Sequence, residues 1–263
     1  MNDISYVSLR PILENLADEK YRRFHARLVP GIHDFLGIRL PLLRKLARDL
    51  SKEFTCAADW LNFLDKIPVL YEEVMLRGMI IGVMPSKVLR NAALFAQQDT
   101  EDFYFSLISS HVKYIDNWAL CDSFCSGLKQ KEFLNDTFFH KLQQEFLFSP
   151  AAGCWPIRVG LILMLAHYTD DAHILQILDF CSRTAKRIPE FSYEDTFYIR
   201  MGLAWLLVEC YIKCRPETSA FLFGPTSQET LPNDWTFNKT IQKILESNRV
   251  RPEDKASLRA LKR

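Results

Sequence analysis

Two stretches, WPIRVGLILMLAHY (Trp155–Tyr168) and FYIRMGLAWLLVECYI (Phe197–Ile212), are apolar around nearly their whole circumference when wound at helical period. A helix of that kind cannot sit on a surface; it must be covered on both sides. Neither stretch is long enough, free of charge, to cross a bilayer, so other segments of the chain must cover them. Those segments also repeat at helical period, and runs of strict alternation are missing. The prolines mostly punctuate the edges of periodic segments. The pattern predicts an all-α fold, an α-solenoid of stacked antiparallel helical hairpins. Its HEAT-like repeats are degenerate, because no fixed period is visible. One such domain is expected over residues 1–263.

Within that scheme, DNWALCDSFC (Asp116–Cys125) is the least ordinary segment. Asp116 or Asn117 can cap a helix whose core stripe is Leu120, Phe124 and Leu128, with Cys121 and Cys125 beside it. Trp118 and Asp122, one turn apart, share a face. A carboxylate there is costly unless it is hydrogen-bonded, paired or open to a water-filled groove. Both readings stand at this point: a structural cap or ion pair, or a functional carboxylate. The second apolar helix repeats the arrangement with Trp205 and Glu209, and Glu209 could pair with Arg158 or Arg200. Arg158 lies just after Pro156, taken as the first helical residue, where the positive end of the helix dipole calls for an anionic neighbour.

Further helices are expected over Leu40–Leu50, Val69–Val83, Lys131–Phe146 and Asn238–Glu246, among others. FLGI (Phe35–Ile38) reads as a turn in which Gly37 supplies the unusual backbone angle. Gly224–Asn233 reads as a long loop.

The net charge of +1 hides a segregation. Lys20, Arg22, Arg23, Arg27, Arg39, Arg44, Lys45 and Arg48 face a single acid, Asp34, within Lys20–Arg48. Lys239, Lys243, Arg249, Arg251, Lys255, Arg259, Lys262 and Arg263 face Glu246, Glu253 and Asp254. If the fold brings both ends to one surface, that surface is a polyanion site; otherwise they are solvated helix faces. The seven cysteines include no C-x-x-C, and Cys121, Cys125, Cys210 and Cys214 sit at packing positions. The histidines show no ligand spacing, so no metal or cofactor is expected. No basic start followed by an apolar run opens the chain, which makes the expected location cytoplasmic, without a membrane partner.

Six segments, FLGIRLPLLRKLAR, YEEVMLRGMIIG, YIDNWALCDSF, WPIRVGLILML, FYIRMGLAWLLVECY and FNKTIQKILESNRVRPEDK, occur in an order that resembles the HEAT-like-repeat DNA alkylation repair proteins of the AlkD type. The resemblance implies a curved stack of hairpins with duplex DNA on a basic concave face. It also implies a monofunctional glycosylase, acting as a monomer without a metal, that removes cationic N3- or N7-alkylated purines. On the matching motifs Trp118 and Asp122 take the aromatic–acid pair, Arg158 the arginine and Trp205 the second aromatic. Arg39, Arg44, Lys45, Arg200, Lys239, Lys243, Arg249 and Arg251 are candidate DNA contacts. Two other classes stay open: a non-catalytic binder of damaged, bent or branched DNA, and a protein-interaction solenoid.

Overall fold

The computed structural model describes residues 5–29, 31–149 and 152–261; Lys262 and Arg263 of the basic C-terminal run lie outside them. The described residues form sixteen α-helices with short 3₁₀ and π turns and no strand, so the chain is all-α. It divides into two compact units, Met1–Phe138 and Phe139–Arg263.

The first unit contains α1 (Tyr6–Asn15), α2 (Glu19–Leu28), α3 (Leu40–Glu53), α4 (Ala57–Leu64), α5 (Tyr71–Val83), α6 (Ser86–Phe95), α7 (Thr100–Val112), α8 (Trp118–Gly127) and the start of α9 (Asp136–Leu142). The second contains α10 (Cys154–His167), α11 (Ile174–Arg187), α12 (Tyr193–Lys213), α13 (Arg215–Phe223), α14 (Ser227–Thr230), α15 (Asp234–Glu246) and α16 (Pro252–Leu258). Each unit has the two-layer stacking of a helical-repeat solenoid. In the first, α5 packs between α3 and α8, while α6 packs between α4 and α7. In the second, α12 packs between α10 and α15, while α11 packs on α13.

The two helices expected to be covered on both sides, α10 and α12, are so covered. A third, α5, is buried almost as completely and includes Glu72, Glu73 and Arg77. Each of those charges is answered. Glu72, fully buried, accepts from the backbone N–H groups of Leu36, Gly37 and Ile38 at 2.8–3.3 Å. Glu73 accepts from Val69 and Leu70 at the helix start and from Arg10 at 2.8 Å. Arg77 donates to the Leu64 carbonyl and the Ser110 hydroxyl. Its Nη1 lies 3.2 Å from Nδ1 of His111. The FLGI turn is therefore seated by a carboxylate, with Gly37 at φ +80°. A Cβ at Gly37 would also meet Arg22 of α2 at 2.5 Å.

Burial, then the neighbouring Arg77 guanidinium, hold His111 well below the ordinary imidazole range, so the ring is neutral and Nδ1 accepts from Arg77. An imidazole whose folded pKa is depressed contributes stability above its unfolded pKa and loses it as pH falls. The stability of the chain should then drop by up to about 1.4 kcal/mol per pH unit as pH falls below ~6.5. Urea denaturation across pH 5–7 checks this: His111→Gln should flatten the slope, and an unchanged slope assigns it to other groups.

Three expectations are corrected. The helix predicted over Lys131–Phe146 is broken into a 3₁₀ turn, α9 and a π turn. The reason is Asn135, whose side chain accepts from the Phe138 N–H and starts a new helix there. Helix α10 begins at Cys154, two residues before Pro156. Proline is tolerated there because N–H groups of the first turn have no intrahelical acceptor. The loop Gly224–Asn233 contains α14.

Candidate functional site

Helix α8 starts where its cap dictates: the Asn117 side chain accepts from the N–H groups of Ala119 and Leu120 at 3.0 and 3.1 Å. Leu120, Cys121, Phe124, Cys125 and Leu128 are buried as the stripe predicts. Phe124 lies against the His111 ring, centroids 4.4 Å apart. The helix approaches α5 so closely that a Cβ on Gly82 would meet the Gly127 carbonyl oxygen at 2.6 Å. This packing leaves Trp118 and Asp122 half-buried on the other face, one turn apart.

The indole N–H of Trp118 donates to the carbonyl of Leu28, the last residue of α2, at 3.1 Å. The ring is thereby fixed at one edge while part of its surface stays open. The same contact brings basic α2 beside the aromatic–acid pair. Arg27, adjacent to Leu28, is exposed and has no ion-pair partner among the described residues. Spacing alone gave no signal for this, because Leu28 and Trp118 are 90 residues apart.

In the second unit, Arg158 on α10 is 5% exposed, and its Nη1 donates to the Tyr198 carbonyl of α12 at 2.8 Å. Trp205 is 39% exposed on a helix whose neighbours are mostly buried. The expectation that Glu209 pairs with Arg158 or Arg200 is corrected. Glu209 takes a two-point bond from Arg249 and a contact from Lys213 at 3.4 Å. Arg249, followed by Lys213, holds the Glu209 carboxyl below the usual range. Arg200 is half-buried, its Nε has no hydrogen-bond partner among the described residues, and burial lowers its pKa.

The remaining candidate cations differ in how free they are. Arg39 pairs with Asp18 at 3.0 Å and lies over the Tyr21 ring. Lys45 pairs with Asp49, and Arg251 with Asp254 and Glu253. Lys239 lies over the Trp235 ring and donates to Gln242. Arg44, exposed, and Lys243, half-buried, have no ion-pair partner among the described residues. Within those residues no group of His, Cys, Asp or Glu could hold a metal ion. Among the described residues no helix is long and apolar enough to cross a membrane.

A family model described as DNA alkylation repair enzyme matches residues 9–233. No curated protein and no solved structure matches the chain. The matched region takes in α8 with Trp118 and Asp122, α10 with Arg158 and α12 with Trp205, and stops before α15. By that match across most of its length, the chain belongs to the DNA alkylation repair enzyme family.

Proposed function

We propose that the protein binds duplex DNA and hydrolyses the N-glycosidic bond of cationic N3- or N7-alkylated purines. The observation that carries this reading is Asp122, a half-buried carboxylate one turn from a half-buried, edge-anchored indole in a family whose work is alkylation repair. An alkylated purine is already cationic and departs without a general acid, leaving positive charge on the deoxyribose. A carboxylate can stabilise that oxocarbenium-like charge and orient the attacking water, as in glycoside hydrolysis. The faces of Trp118 and Trp205 attract cationic sugar and base edges. Arg158 is assigned a backbone phosphate, and its bond to the Tyr198 carbonyl restricts the direction from which that phosphate approaches. The chemistry asks for no metal or organic cofactor.

The test is a duplex carrying a single N7-methylguanine, with abasic sites scored after incubation. Sites should form well above the spontaneous rate. A folded protein that releases no N7-methylguanine or N3-methyladenine over background removes the catalytic reading and leaves a non-catalytic binder of damaged DNA.

Duplex binding itself should be largely independent of sequence and fall with salt, because phosphate neutralisation releases counterions. Arg39, Lys45, Arg249 and Arg251 are already paired with carboxylates. Beside Arg158, the steepest contributors are therefore Arg44, Lys239 and Lys243, and four such contacts give a log–log slope of about −3 to −4. Fluorescence anisotropy across a salt series measures it. Affinity unchanged between low and moderate salt would favour a protein-interaction solenoid.

A further inference from the structure

The second unit contains an open pocket of about 530 Å³ lined by the end of α11, the 3₁₀ turn after it, the start of α12 and the residues before α15. That size lies within the range of small-molecule sites. Among the described residues its charged lining is Lys186 and Arg200, with no Asp or Glu. Lys186 is exposed and has no ion-pair partner among the described residues. Arg200 lines it from α12, and its Nε is buried without an acceptor among those residues. A buried donor of that kind is costly to leave unanswered. The remaining walls are mostly apolar or aromatic, with Ile188, Phe191, Tyr193 and Pro232 among them, and Thr196 and Asn233 add two polar side chains.

Beside the pocket lies an aromatic surface. Phe197, on α12 between Tyr193 and Arg200, is exposed and meets the exposed Trp235 edge to face at 5.9 Å. The Lys239 ammonium lies over the Trp235 ring at 5.7 Å. Cations that answer phosphate, next to rings that accept a planar base at any sequence, are the two parts of a site for an unpaired nucleotide.

We propose that this pocket and its aromatic border hold one phosphorylated nucleoside, with the phosphate on Arg200 and Lys186 and the base against Phe197 and the neighbouring rings. Nucleotide is chosen over other organic anions because the family acts on DNA; the site requires nothing of the Asp122 chemistry. Its source is either a free mononucleotide or the unpaired end of a DNA strand.

Both sources are tested on the full chain without a lesion, so the result does not depend on excision. Calorimetric titration compares deoxyguanosine 5′-monophosphate with inorganic phosphate and with deoxyguanosine. The mononucleotide should bind at least about tenfold more tightly than either fragment, the stacked base and the phosphate each contributing on that scale. Lys186→Gln and Phe197→Ala should each weaken it about tenfold, and Lys186→Gln, at an exposed side chain, should leave the melting midpoint unchanged. Anisotropy then compares a blunt duplex with one bearing a short single-stranded extension. A preference for the extension that disappears in Phe197→Ala identifies the strand end, and mononucleotide binding without that preference identifies the free nucleotide. No mononucleotide binding, or inorganic phosphate binding equally tightly, overturns the proposal.

Discussion

Asp122→Asn should slow single-turnover excision of N7-methylguanine by about a hundredfold or more, with duplex affinity close to that of the unmodified protein. The magnitude is that of removing one preorganised electrostatic group from a developing charge. Asparagine keeps the shape and hydrogen-bonding reach of the side chain but removes the negative charge that an oxocarbenium ion requires. Affinity should hold because phosphate contacts come from cations elsewhere. A structural carboxylate predicts a different pattern, in which the melting temperature, binding and activity fall together. Trp118→Phe is the companion measurement. It removes the donor to the Leu28 carbonyl while keeping an aromatic face, so it separates anchoring of the ring from its presence.

Glu72→Ala should lower stability by about 3–5 kcal/mol, through the loss of a buried carboxylate from its donors. For a chain of this length that corresponds to a fall in melting midpoint of about 10 °C. The side chain is fully buried and answers three successive backbone N–H groups of the FLGI turn. Alanine leaves those donors without a partner in a region where Gly37 and Ile38 are also buried. The turn leads directly into α3 at Arg39 and so sets the position of Arg44 and Lys45. Duplex affinity should fall with stability. Thermal denaturation followed by circular dichroism reads the first effect. A shift of less than about 1 kcal/mol would mean that water or a relaxed turn replaces the carboxylate.

The helices themselves were legible because their signals are local. Asn117 caps α8 within three residues, the stripe Leu120, Phe124 and Leu128 repeats within three turns, and Gly37 marks its turn by lacking a Cβ. The aromatic–acid pair was legible for the same reason, since a spacing of four residues determines a shared face. Helix α5 was legible as a helix over Val69–Val83 but not as one buried on all sides, because Glu72, Glu73 and Arg77 interrupt its apolar circumference. Their partners, Leu36 to Ile38, Arg10 and His111, come from distant segments. For Glu209 the sequence offered Arg158 or Arg200, and packing of α12 against α15 delivered Arg249, beyond the end of α15. The anchoring of Trp118 on Leu28 and the pairing state of each cation were likewise decided only in three dimensions. Periodicity and caps depend on the geometry of one helix, which a short stretch of sequence determines by itself. Which buried charge meets which donor depends on distances of a few ångströms between helices, and only side-chain packing, down to single glycines such as Gly82, establishes those.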